Sequence, residues 1–142
     1  MTKILLVDDS KFLRMAIERG LARAGYEVTT AGDGPSALEM ARKEAPDLIL
    51  LDMLLPKMTG PDVLKALKKD PATGGIAVVV LTGLSQKNAL RLQQDGACAF
   101  LEKSELGLDT GCNTLLAALG DILRRLKLEV PTGASAYGAQ AG

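Results

Sequence analysis

The chain has 142 residues, enough for one domain whose hydrophobic core needs no disulfide or structural metal. Its 17 basic and 17 acidic residues give a formal net charge of zero, which excludes a strongly basic nucleic-acid-binding domain. The absence of histidine excludes Ser-His-Asp and Cys-His catalysis and every His-ligated metal site.

Cysteine spacing and hydropathy indicate the cellular compartment. Cys98 and Cys112 lack the spacing of a zinc site or of a C-x-x-C redox motif, so we expect free thiols in a reducing cytosol, with Cys98 a small core residue. No window approaches the ~18 apolar residues that cross a bilayer, and the first apolar run is too short for a signal sequence. We therefore expect a cytoplasmic protein without membrane insertion.

Short apolar runs alternate with helical patterns along the chain. The runs are aliphatic and β-branched, as in strands covered on both faces, and glycine, proline or capping residues bound the helical patterns. The predicted strands are residues 4–7, 26–30, 48–51, 76–81 and 97–101. The predicted helices are residues 11–24, 35–43, 61–69, 85–95 and 113–126, approximately.

Side-chain positions within three of these helices can also be predicted. Phe12 belongs to the apolar stripe of the first helix, and Asn113 is the expected cap of the last. In the third helix we expect Lys65, Lys68 and Lys69 to face solvent.

A strand followed by a helix, about five times over, predicts an α/β fold. We expect a five-stranded parallel sheet with helices on both faces and the flavodoxin-like strand order 2-1-3-4-5. Residues 1–128 would form this domain. Residues 129–142 are small, polar and rich in breakers, so we expect a disordered tail or the start of a linker there.

Polar side chains follow four of the five predicted strands. Asp8 and Asp9 follow the first strand, and Asp52 follows the third. Thr82 follows the fourth strand, and Lys103 lies just beyond the fifth. Ligands of open parallel sheets bind outside the carboxyl ends of the strands, so we expect these side chains to converge on one crevice.

The residue types in this predicted crevice favour phosphoryl chemistry. Three neighbouring carboxylates repel unless a cation holds them, and oxygen-only ligands favour Mg²⁺, with Mn²⁺ as an alternative. A lysine ammonium and a threonine hydroxyl opposite the metal would stabilise a phosphoryl group, and Asp52 is then a candidate nucleophile. Each residue also has an ordinary interpretation: Asp8 and Asp9 as a helix-capping pair, Asp52 as a loop cap, Thr82 as a common residue at a strand end, and Lys103 as a solvated side chain.

Five short motifs, in their order along the chain, resemble the receiver domain of bacterial two-component response regulators. The resemblance covers roughly residues 1–128, and the order of the motifs makes it specific although each motif alone is weak. The motifs are Leu6-Val7-Asp8-Asp9-Ser10, Leu50-Leu51-Asp52 with Pro56 and Gly60, Val80-Leu81-Thr82-Gly83, Gly96-Ala97, and Phe100-Leu101-Glu102-Lys103.

The resemblance implies a set of site residues. Asp52 would be the phosphorylated residue, and Lys103 would pair with the phosphoryl group. Mg²⁺ would be held by Asp9 and Asp52, by Asp8 largely through water, and by the main-chain oxygen of Leu54.

The resemblance also implies a switch. Thr82 would move to bond the phosphoryl group and Phe100 would turn inward, repacking the face formed by the fourth predicted helix, the fifth strand and the last helix. Phe100 could instead be plain core. The donor would be a histidine kinase or a phosphotransfer protein, and the effect would pass to a downstream protein rather than to nucleic acid.

Three positions depart from the family pattern. Ser104 replaces the usual proline after the lysine, where a cis bond before a non-proline residue would cost about 2.5–4 kcal/mol. Leu54 and Leu84 are aliphatic at two positions that, in the family, influence how water reaches the acyl phosphate. We therefore expect slow autodephosphorylation.

We interpret the chain as a stand-alone receiver that is a switch and not an enzyme. Alternatives are a receiver segment of a longer hybrid kinase or regulator, and a pseudo-receiver that binds partners without phosphorylation. A phosphatase with an aspartyl-phosphate nucleophile is a third alternative, but its D-x-D motif is interrupted here by Leu54.

Overall fold

The computed structural model describes residues 2–53, 55–82, 94, 96–103 and 112–128. The elements in these ranges are β1 Lys3–Val7, α1 Lys11–Arg23, β2 Glu27–Ala31, α2 Gly34–Glu44, β3 Leu48–Asp52, α3 Gly60–Lys69, β4 Ala77–Thr82, β5 Ala99–Glu102 and α4 Asn113–Arg125. No helix within these ranges is both long and apolar enough to span a membrane. The predicted helix at 85–95, apart from residue 94, and the tail at 129–142 lie outside them.

The five strands form one parallel sheet in the order β2-β1-β3-β4-β5, which confirms the predicted topology. The register sets Val7 beside Leu51 and Asp52 beside Leu81. The carboxyl ends of β1, β3 and β4 therefore lie level at one edge of the sheet, and the polar residues that follow them start from neighbouring points.

Two hydrophobic cores cover the two faces of the sheet. Along β3, Leu48 and Leu50 pack in the core that includes α1 and α4, whereas Ile49 and Leu51 pack in the core that includes α2 and α3. All four side chains are fully buried, and each contributes about 1.5–3 kcal/mol of hydrophobic stabilisation. This two-sided burial explains why the run shows no polar alternation, and it gives Asp52 a rigid support.

Two strands begin one residue later than predicted because the expected first residue makes a turn. The N–H of Tyr26 donates to Leu21 O at 3.1 Å, and the N–H of Ile76 donates to Thr73 O at 3.0 Å. Neither amide is available to the sheet ladder. The hydrophobicity of Tyr26 and Ile76 indicated burial at these positions. It could not indicate which hydrogen-bond partner each main-chain amide has.

The helix caps confirm one prediction and correct two. Ser10 caps α1 as expected, by accepting a hydrogen bond from Leu13 N. Thr59 caps α3 through Asp62 N, so this helix begins at Gly60 rather than at the following proline. The prediction that Asn113 caps the last helix is wrong, because Asn113 is already helical and follows a residue with left-handed backbone.

The solvent exposures of Lys68 and Cys98 differ from their predictions. Lys68 is half-buried, and its ammonium donates to Ile76 O at 2.7 Å and to Gly74 O at 3.3 Å. Burial lowers the pKa of Lys68, and the nearby Cys98 opposes that change only in part. Cys98 itself is exposed rather than core. Lys65 and Lys69 face solvent as expected.

Candidate functional site

Three carboxylates meet at the carboxyl edge of the sheet. Asp8, Asp9 and Asp52 each offer an oxygen atom, and these atoms all lie within 4.8 Å of one another. Asp8 is 0% exposed and Asp52 is 1% exposed, while Asp9 faces solvent. The structure thus brings together the acids that the sequence placed after the first and third predicted strands, with Asp52 as the last residue of β3.

Asp8 is held at several atoms. Its N–H donates to Ala31 O at 3.1 Å, its Oδ1 accepts from Ser10 N at 2.9 Å, and its main-chain oxygen accepts from Arg14 Nη1 at 2.8 Å. Oδ2 is buried and accepts no hydrogen bond from the residues that the structure describes. That oxygen lies 3.3 Å from Lys103 Nζ, as an ion pair without hydrogen-bond geometry.

Lys103 brings a positive charge to the cluster from the end of β5. Its Nζ donates to Asp52 Oδ2 at 2.9 Å, and its side chain is 26% exposed. Burial would lower the pKa of Lys103, but the hydrogen bond to Asp52 and the charges of Asp52 and Asp8 outweigh it, so the pKa is raised. Lys103 is therefore a cation at neutral pH, paired with the two buried carboxylates.

The two predicted switch residues lie on adjacent strands. Thr82 is the last residue of β4, and its side chain is outside the described part of the structure. Phe100 is half-buried in β5 and packs against the core that includes α2 and α3. The remaining predicted positions, Leu54, Leu84 and Ser104, also lie outside the described residues, so the expectations about them stay predictions.

The acidic cluster fits a hard divalent cation. Its donors are carboxylate oxygens, which Mg²⁺ prefers. A buried oxygen without a hydrogen bond, such as Asp8 Oδ2, is costly unless a cation lies close to it, and Lys103 meets this need only in part. Asp8, Asp9 and Asp52 can therefore hold a metal ion.

Comparison with known proteins assigns the family. The model of the response regulator receiver domain matches residues 4–109. The chain belongs to this family. The receiver domain is 35% identical over 123 residues to the polar-differentiation response regulator DivK of Brucella ovis, covering 85% of the chain and 99% of DivK.

Two further similarities differ in their coverage. The receiver domain is 45% identical over 103 residues to the response regulator PleD of Caulobacter vibrioides, which covers 71% of the chain but only 22% of PleD. The chain thus spans about a fifth of that relative's length. The chemotaxis response regulator CheY4 of Vibrio cholerae has a solved structure that superposes with a TM-score of 0.78 at 35% identity, covering 87% of the chain and 99% of CheY4.

On α1 the structure corrects one prediction and shows one contact that sequence reasoning missed. Phe12, which we expected in the apolar stripe of α1, is 86% exposed. Arg14, which no motif had singled out, bonds the main chain of Asp8. A signal for Arg14 existed, because helical side chains point back toward the helix N terminus and Arg14 lies one turn beyond the Ser10 cap.

Proposed function

We propose that this receiver domain is a phosphorylation-controlled switch that accepts a phosphoryl group on Asp52 and signals through protein contacts. The observation that carries the proposal is the pairing of buried Asp52 with Lys103 at 2.9 Å inside a cluster of three carboxylates. The similarity to response regulators supports a place in a phosphorelay, with a histidine kinase or a histidine phosphotransfer protein as donor.

In the proposed reaction, a carboxylate oxygen of Asp52 attacks the phosphorus of the donor in line with the leaving group. The new bond joins that oxygen to phosphorus, the phosphorus–nitrogen bond of a phosphohistidine breaks, and its electron pair stays on the imidazole nitrogen. Lys103 then donates to a phosphoryl oxygen, which offsets charge that develops during transfer. Mg²⁺ bound by Asp8, Asp9 and Asp52 would supply further neutralisation of the phosphoryl oxygens.

We infer that the domain turns over no external substrate beyond its own phosphorylation and the slow loss of the group. A phosphatase of the aspartyl-phosphate type needs a second acid two residues after the nucleophile, and this chain has Leu54 there. The same leucine supports the hypothesis of slow hydrolysis, because an aliphatic side chain cannot hydrogen-bond an attacking water.

The proposed output begins at β4 and β5. Phosphorylation of Asp52 would draw Thr82 toward the phosphoryl group, and half-buried Phe100 would turn further inward. The sheet register supports this coupling, because Asp52 lies beside Leu81 and Val80 lies beside Phe100. The surface offered to a downstream protein would change along β5 and α4.

An exposed apolar pair on α1 supports a docking place for the donor protein. Phe12 is 86% exposed and Met15 is 41% exposed, and their three-residue spacing puts both on one side of the helix. Phe12 is only three residues beyond Asp9, which supports a location for this pair at the same end of the domain as the carboxylate cluster. Exposed apolar patches of this kind mark protein contacts, and we propose that the phosphodonor packs here.

Phosphorylation with a small donor tests the proposed function. Incubation with acetyl phosphate and Mg²⁺ should add the mass of one phosphoryl group to the wild type and to Asp47→Asn, a matched control at an exposed carboxylate just before β3. Asp52→Asn should gain none, and neither should the wild type in EDTA. The proposal fails if the wild type stays unmodified or if Asp52→Asn is modified to the same extent.

Replacing Phe12 should separate protein donors from small donors. We expect Phe12→Ser to weaken transfer from a phosphohistidine donor protein about tenfold, because truncating an aromatic anchor removes interface energy, while acetyl phosphate reacts as before. Leu126→Ser is the control, since Leu126 is 38% exposed beyond the end of α4. Equal rates for Phe12→Ser and the wild type with the protein donor would place docking elsewhere.

A further inference from the structure

We propose that Arg14 is a positioning residue that fixes Asp8 for divalent-cation binding. The inference rests on the proposed function of the carboxylate cluster and adds a residue to it. Arg14 is half-buried on α1, and its Nη1 donates to the main-chain oxygen of Asp8 at 2.8 Å. Because a guanidinium is always charged, this is a strong, charge-assisted hydrogen bond.

The bond from Arg14 completes the restraint of Asp8. The amide of Asp8 is bound to Ala31 and its Oδ1 to the amide of Ser10, both backbone partners with little freedom to move. With the carbonyl held by Arg14, the residue is fixed on three sides. Oδ2 remains directed at the cluster, where Lys103 Nζ lies 3.3 Å away.

The turn after β2 leaves room for the guanidinium of Arg14. A Cβ atom at Gly32 would lie 2.8 Å from Arg14 Nη1, which is closer than real Cβ contacts come. Gly32 directly follows Ala31, whose carbonyl receives the amide of Asp8. The guanidinium of Arg14 thus lies between the end of β1 and this turn. Because Gly32 has no Cβ atom, the turn leaves room for the guanidinium.

The charge of Arg14 and its contact with Asp8 predict opposite effects on Mg²⁺ affinity when the Arg14 side chain is replaced. A guanidinium near three carboxylates repels a second cation, so removing its charge alone would tighten Mg²⁺ binding. If Arg14 instead fixes Asp8, removing it loosens a metal ligand and weakens binding. Residues that orient metal ligands typically contribute about 10–100-fold to affinity.

The test is the dissociation constant for Mg²⁺ alone, followed by the amide chemical shifts of Asp8 and Asp9. We expect Arg14→Gln to weaken binding about tenfold and Arg14→Lys to weaken it less, because a lysine retains one charged donor. Arg19→Gln is the control for charge, since Arg19 is exposed on the same helix. The Arg19→Gln variant should change the dissociation constant for Mg²⁺ by no more than about twofold.

Gly32→Ala gives an independent route to the same outcome, because the added methyl group displaces the guanidinium while its charge is kept. It should weaken Mg²⁺ binding as Arg14→Gln does, and the double variant should be no weaker than either single one. Thermal unfolding in EDTA shows that each variant is folded.

Mg²⁺ binding by Arg14→Gln that is equal to or tighter than that of the wild type overturns the inference. If the wild type still gains a phosphoryl group in that case, the proposed function stands without it. A wild type that neither binds Mg²⁺ nor gains a phosphoryl group would instead remove the proposed function itself.

Discussion

Replacing Lys103 by methionine is expected to slow phosphorylation by acetyl phosphate about 100-fold, because a charged donor aimed at the reacting group is lost. Lys103 Nζ lies 2.9 Å from Asp52 Oδ2 and 3.3 Å from Asp8 Oδ2. The Lys103 ammonium is thus placed to stabilise negative charge on the carboxylate before transfer and on the phosphoryl oxygens during it. The rate is measured by mass spectrometry of the intact protein at several times.

The same variant should lose about 2 kcal/mol of folding stability in EDTA. Removing one partner of a buried ion pair leaves uncompensated charge, here two buried carboxylates, and the partial exposure of Lys103 reduces the usual cost. Mg²⁺ should restore much of this loss and should stabilise the variant more than the wild type, because no ammonium then competes for the carboxylates. Urea unfolding with and without Mg²⁺ measures both effects.

Lys57→Met is the matched control for Lys103. The Lys57 side chain is 68% exposed and lies 3.4 Å from Asp33, so its loss should leave the rate unchanged and the stability within about 0.5 kcal/mol of the wild type. Equal losses in both variants would show that general positive charge, rather than the contact with Asp52, is what matters.

Replacing Gly60 by alanine is expected to destabilise the fold by about 3 kcal/mol. A Cβ atom there would lie 2.5 Å from Met53 Cα and 2.9 Å from Asp52 O, both main-chain atoms that cannot rotate away. The amide of Gly60 also donates to Met53 O at 3.0 Å, which closes the loop between β3 and α3. The added methyl group must therefore push apart the backbone at Asp52 and Met53, at and just after the proposed phosphorylation site.

Gly75→Ala is the control for Gly60, since a Cβ at Gly75 meets nothing within 4 Å. It should leave stability within about 1 kcal/mol of the wild type. The free energy of unfolding in urea distinguishes the two variants, and a Gly60→Ala protein as stable as Gly75→Ala would contradict the packing described around Asp52.

The sheet could be predicted from the sequence because the strongest signal is the whole pattern of strands and helices rather than any single residue. Five aliphatic runs separated by helical patterns allow few topologies, and in the parallel order the residues after β1, β3 and β5 must meet at one edge. The contact of Lys103 with Asp52, 51 residues apart, follows from that rule and from no local signal. The roles proposed for these residues come from their resemblance to the motifs of the receiver family.

Predictions failed where a single side chain has two physically reasonable positions. Phe12 has the hydrophobicity of a core residue, yet it is on the outer side of α1. Lys68 has a long apolar stem that can cover backbone while its ammonium bonds two carbonyls, so charge alone did not decide its exposure. Arg14 was missed because its partner is a main-chain oxygen, which a sequence motif does not display.

Locating the modified residue tests most directly whether Asp52 accepts the phosphoryl group. Borohydride reduces an aspartyl phosphate to homoserine, so peptide mass spectrometry of the protein treated with acetyl phosphate, Mg²⁺ and then borohydride identifies the acceptor. We predict homoserine at position 52, and only in the sample that received the phosphate donor. Homoserine at another aspartate, or at none, would contradict this account of the domain.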